Sequence, residues 1–115
     1  MNIHQIDWNA IEWVEVRPGV ARKGFSGNGA TVALHRLAPG HEPKPHSHPN
    51  EQIVYIIEGT VKFHIGSETT RLGPGMLALV PRGVEHYAEV VGDQPVLNLD
   101  VFTPAREEYG KLPSE

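Results

Sequence analysis

Two histidines one residue apart, His46 and His48, stand near the start of PHSHPNEQIVYIIEG, the stretch from Pro45 to Gly59. In an extended chain residues i and i+2 point to the same face, with Cα atoms about 6.6–6.8 Å apart. From that separation two imidazoles can converge on one ion at about 2.0–2.2 Å. The next positions of the same parity are Asn50 and Gln52; Glu51 has the opposite parity, although a turn between could reset it. A distant third histidine, His86, follows Gly83 by three residues, just after a Pro-Arg-Gly stop. Divalent transition metals take such mixtures of imidazole and oxygen donors.

The chain holds seven histidines. His4 in the N-terminal segment, His41 in a Pro-rich loop and His64 on the polar face of an alternating run read as solvent-facing or merely hydrogen-bonded. His35, in ATVALHRL, has parity opposite to Leu34 and either lines a cavity or faces water.

These residues need elements to hold them. Glycine and proline number 12 and 10 and are evenly spread; from residue 18 onward no stretch free of both exceeds nine residues. That spacing fits strands joined by turns rather than full-length helices. A short turn after Asp7 leads to a strand over 11–16, where IEWVEV is β-branched and aromatic. Further strands are predicted at 31–37, 52–58, 60–65, 69–72, 76–80, 85–91 and 96–102, with a short extended piece at 44–48 held by Pro43 and Pro45. Val61, Phe63 and Ile65 share one face and Lys62 and His64 the other. A helical turn is predicted at 104–109, within the polar tail 103–115. About nine or ten short strands with regular turns predict an all-β antiparallel sandwich or barrel.

Composition bounds the function. A chain of 115 residues suits one domain. The net charge is −4 and the ten Lys and Arg are scattered, so nucleic acid is not an expected partner, and any anion site has to be local. The absence of cysteine excludes disulfides, thiolate metal sites and thiol nucleophiles. Neither a signal-peptide pattern nor an apolar run near the length of a membrane helix is visible, so a cytoplasmic protein without membrane contact is expected.

The spacings themselves resemble a known family. Gly40, five residues, His46-x-His48, three residues, Gln52, six residues and Gly59 resemble the first motif of the cupins. Gly75, five residues, Pro81-x-Gly83, two residues and His86 resemble the second. The resemblance implies a single cupin domain over 1–115, a jelly-roll β-barrel with motifs at 40–59 and 75–90 and a metal inside. The family's ligands fall on His46, His48, Gln52 and His86. Gln52 stands where Glu is usual, and Val90 where the second motif usually ends in Asn. Gln52 is preferred to Glu51 on its spacing to Gly59 and on parity. Three neutral imidazoles and an amide leave the charge of a divalent ion uncompensated, which favours an anionic substrate and Lewis-acid chemistry. Such donors suit nickel, iron, manganese and zinc alike.

A narrower resemblance rests on LDVFTPAREEY (Leu99 to Tyr109), HSHPNEQ and the early RPGV. These look like the small pectin-degradation cupins of the KdgF type, which convert 4,5-unsaturated monouronates from pectate and alginate breakdown into open-chain keto sugars. Their functional Asp, Phe and Arg map onto Asp100, Phe102 and Arg106. Asn98, Asp100 and Phe102 share parity, so an interior Asp100 would be a carboxylate able to shuttle a proton near the metal. Arg106 would pair with a substrate carboxylate and Phe102 would form an apolar wall. The plain alternatives are a turn or strand-end carboxylate for Asp100, and a surface salt bridge to Glu107 or Asp93 for Arg106. The resemblance also implies a homodimer, with the strand around Trp13 as a candidate edge. Rival functions are a metal-dependent dioxygenase, an isomerase or cyclase of secondary metabolism, and a non-catalytic sugar-binding cupin.

Overall fold

At Pro18-Gly19 the chain folds back into a hairpin of β1 (Val14–Arg17) and β2 (Val20–Ser26). Seven more strands follow among the described residues: β3 (Thr31–Leu37), β4 (Glu51–Glu58), β5 (Val61–Ile65), β6 (Glu68–Leu72), β7 (Leu77–Val80), β8 (His86–Val90) and β9 (Val96–Thr103). The structure, a computed structural model, describes residues 5–110, so His4 and the end of the tail lie outside the described residues.

A six-stranded sheet runs β1-β2-β3-β9-β4-β7 and a three-stranded sheet runs β6-β5-β8, with every pairing antiparallel. The two face one another as a jelly roll, as the strand spacing predicts. Val54, Ile56, Val61, Phe63, Leu72, Val80 and Val96 are buried in one cluster drawn from both sheets. Each such side chain contributes about 1.5–3 kcal/mol on leaving water. No described helix is long and apolar enough to cross a membrane.

The structure differs from the predicted elements in three places. β2 was not expected, because Arg22, Lys23 and Gly24 mask its alternation. Its inward residues are Val20, Arg22, Gly24 and Ser26, opposite Leu37, His35, Ala33 and Thr31 of β3. The predicted strand over 11–16 shortens to β1, because Asp7 caps a single 3-10 turn over Trp8–Ala10 and accepts from the Asn9 amide. The piece at 44–48 is no strand, since its prolines cannot donate to a ladder; only His46 pairs, with His86.

Register then places the site. On β9, Asn98, Asp100 and Phe102 lie opposite His35, Ala33 and Thr31 on one side and Ile56, Val54 and Gln52 on the other. Asn98, Asp100, Phe102 and Gln52 are all buried. β9 thus carries polar groups into the interior between two flanking strands.

Candidate metal centre and cavity

His46 and His86 are 40 residues apart in sequence yet share two backbone hydrogen bonds, His86 N–H to His46 O at 2.9 Å and His46 N–H to His86 O at 3.2 Å. The Gly83 amide donates to the His48 carbonyl at 2.9 Å. Gly83 has φ +74°, a left-handed conformation that glycine adopts without strain. The Pro-Arg-Gly turn is therefore the clamp that brings the late histidine to the early pair.

The ring nitrogens of His46, His48 and His86 lie within 4.8 Å of one another. Each Nδ1 faces a backbone carbonyl: Lys44 at 2.8 Å, Asn50 at 3.0 Å and Val84 at 2.8 Å. These carbonyls select the tautomer with the proton on Nδ1 and leave a lone pair on each Nε2. Among the described residues, His86 Nε2 is buried with no hydrogen-bond partner. Burial lowers the His86 imidazole from 6.5 to about 4, against the Val84 hydrogen bond that works to raise it. Burial also lowers His46. Both rings are thus neutral, the ligating form, at neutral pH.

Gln52 sharpens the picture. Its amide donates to Asp100 Oδ1 at 2.9 Å, which turns its oxygen to within 3.0 Å of His48 Nε2. With the His48 proton on Nδ1, two acceptor atoms face one another there. A shared cation resolves that contact, so the donor set fits a divalent metal. Neighbouring ligand atoms sharing one ion at about 2.1 Å would lie about 3–3.5 Å apart, so the rings would draw together on binding.

Asp100, 3% exposed, is held by three groups. Besides Gln52, Asn98 Nδ2 donates to Oδ2 at 2.8 Å and His35 Nδ1 lies 2.6 Å from Oδ2. His35 therefore lines the cavity instead of facing water. Phe102 is buried and sets its ring edge-on to His48 at 5.5 Å. Arg106 lies over the rings of Tyr109, at 4.0 Å, and Phe102, at 5.3 Å. Its Nε donates to Glu108 at 2.8 Å, so its acidic partner is neither Glu107 nor Asp93.

Of the discounted histidines, His41 spans the Ala38 and Ala88 carbonyls and His64 pairs with Glu89 at 2.6 Å. The centre opens into a cavity of about 110 Å³. Arg17, Arg22, Lys44 and Tyr109 line it, and the sequence reading named none of them as functional. The signal that could have found Arg22 is its parity with Val20 and Ser26 after the Pro18-Gly19 turn.

The family described as a cupin domain matches residues 33–102. The tetracenomycin polyketide synthase protein TcmJ of Streptomyces glaucescens is 32% identical over 83 residues, which are 69% of this chain and 55% of that protein. The chain thus spans about half the length of that relative. An RmlC-like cupin from Shewanella frigidimarina superposes with a TM-score of 0.84 at 23% identity, over 94% of this chain and 96% of that one. KdgF from Halomonas sp. superposes with a TM-score of 0.82 at 26% identity, over 89% and 95%.

Proposed function

This chain belongs to the cupin domain family, and from that premise we propose that it is a metal-dependent enzyme that opens 4,5-unsaturated monouronates to linear keto sugars. The observation that carries the reading is Asp100, a buried carboxylate linked through Gln52 to the three-histidine cluster. The likeness to Halomonas KdgF over most of both chains supports it.

His46, His48, His86 and Gln52 hold the metal in this reading. When bound, it supplies Lewis-acid polarisation of a substrate oxygen. Asp100 takes the proton of the anomeric hydroxyl. The bond between that carbon and the ring oxygen breaks, leaving an aldehyde and an enolate. Asp100 returns the proton to the enol carbon, and the product is an isomer of the substrate. His35 and Asn98 orient the carboxylate for both transfers. Arg106 supports the substrate carboxylate, and Phe102 excludes water on one side.

The test is the loss of unsaturated-uronate absorbance on adding the metal-loaded protein. Asp100→Asn should abolish the loss while the metal stays bound. No loss with any unsaturated monouronate overturns the reading. The identity to TcmJ favours as second reading an isomerase or cyclase of secondary metabolism; turnover of a polyketide substrate without uronate turnover would establish it.

The homodimer is proposed to form through the outer face of β4 and β7. Ile53, Tyr55, Ile57, Leu77 and Leu79 are all exposed there, with Ile53 opposite Leu79 and Tyr55 opposite Leu77. Those side chains make a contiguous apolar patch on the order of several hundred Å², the size that marks an interface. A second copy placed by a two-fold axis covers it with the same face. β1, beside Trp13, is the other edge of this sheet.

A further inference from the structure

Among the described residues, four cationic side chains line the cavity, Arg17, Arg22, Lys44 and Arg106, against one carboxylate, Asp100. The chain as a whole carries −4. A positive pocket in an acidic chain is a local feature that general surface charge does not explain.

The arginines are not equally free. Arg106 gives its Nε to Glu108 and stacks on Tyr109. Arg22 stacks on the same ring, its guanidinium carbon 3.6 Å from the centroid. Burial lowers the Arg22 pKa, and Arg106 and Arg17 add to the lowering by like charge. Among the described residues, Arg17 Nε is buried with no hydrogen-bond partner. Leaving such a donor unpaired costs about 1–3 kcal/mol, more for a charged group. Guanidiniums crowded out of water fit a ligand that brings negative charge and acceptor atoms.

We propose that Arg17 and Arg22 form the anchoring subsite for the carboxylate of a small sugar acid, with Arg106 in a supporting place. The inference rests on the ring-opening reading for the ligand class and moves the anchor from the C-terminal turn to the first hairpin. Arg17 ends β1 and Arg22 lies inward on β2, opposite His35. His35 contacts Asp100, so a carboxylate held by this hairpin sets the sugar ring against the proton-shuttling group. The wide planar fork of arginine suits a carboxylate better than a point charge does.

The test uses the chelator-treated full-length protein, with D-galacturonate and D-galactose as probes in NMR titrations. Wild type should bind the uronate more tightly than the neutral sugar, with a preference that fades at high salt. Arg17→Gln and Arg22→Gln should each weaken uronate binding by roughly tenfold and leave galactose binding unchanged. Arg106→Gln should weaken it less. Arg17→Lys, which keeps the charge without the fork, should fall between, and thermal melts check that each variant folds. Equal binding of the two probes by wild type, or uronate binding unmoved in folded Arg17→Gln and Arg22→Gln, overturns the subsite. Turnover separates the two ideas. Uronate binding that depends on Arg17 and Arg22, without conversion of any unsaturated uronate, sinks the ring-opening reading and keeps the subsite. Conversion with KM unchanged in both variants does the reverse.

Discussion

Gln52 is the residue at which this chain departs from the usual acidic ligand, and its two contacts account for the change. One end faces His48 and the other donates to Asp100 at 2.9 Å. A glutamate there would set two carboxylates against each other, and one would keep its proton near neutral pH. Gln52→Glu should therefore lower turnover and shift the acid limb of the pH–rate profile upward; an unmoved profile would count against the Asp100 shuttle. His86→Ala removes a buried Nε2 lone pair that has no hydrogen-bond partner among the described residues, and metal content after purification should fall at least tenfold. The histidines also set a pH dependence in the chelated protein. His86 titrates at about 4 folded against 6.5 unfolded, so between those values the unfolded chain binds the extra proton. Stability is then full above 6.5 and is lost as pH falls through about 4, with His46 acting in the same direction. Denaturant melts at pH 7, 5.5 and 4 read this directly, and His86→Gln should flatten the trend.

At the scale of elements, the wall of the cavity that carries Arg106 and Tyr109 is set by the docking of the C-terminal 3-10 turn Glu107–Tyr109 against β2. The Arg106 amide donates to Thr31 Oγ1 at 2.7 Å, and Asn50 donates to the Pro104 carbonyl at 2.7 Å. Gly24 makes the approach feasible, since a Cβ there would overlap the Tyr109 carbonyl oxygen. Gly24→Ala should push the turn away and carry the Tyr109 ring from between Arg22 and Arg106. KM for an anionic substrate should rise about tenfold, while the metal, held on other elements, stays bound. Metal content and KM measured on one preparation check both halves.

For the whole molecule, the asymmetry between the two faces of β4 matters most. Gln52, Val54 and Ile56 point inward and are buried, whereas Ile53, Tyr55 and Ile57 point outward and remain exposed. Both faces are apolar in a strand with one face in the core, the pattern of a sheet covered on both sides. Leu77, 60% exposed, and Leu79, 54% exposed, extend that outer face onto the edge strand. On the dimer proposed above, analytical ultracentrifugation should read a dimer for wild type and a monomer for Leu77→Glu with Leu79→Lys, with metal content unchanged.

Local rules made much of this protein legible before folding. Alternation put Asn98, Asp100 and Phe102 on one face, and glycine and proline spacing marked the strand ends, because strand period and turn geometry act over a few residues. The histidine spacing pointed to a metal for the same reason. What the sequence could not reveal lies across strand pairings. Arg22 meets His35 only through the β2–β3 register, and His86 meets His46 only through a bridge closed by the Gly83 turn. That Gln52 reaches both His48 and Asp100, and that Arg17 and Arg22 line one cavity, followed from register between distant segments. Such contacts depend on which strands become neighbours, and burial of the shared core decides that.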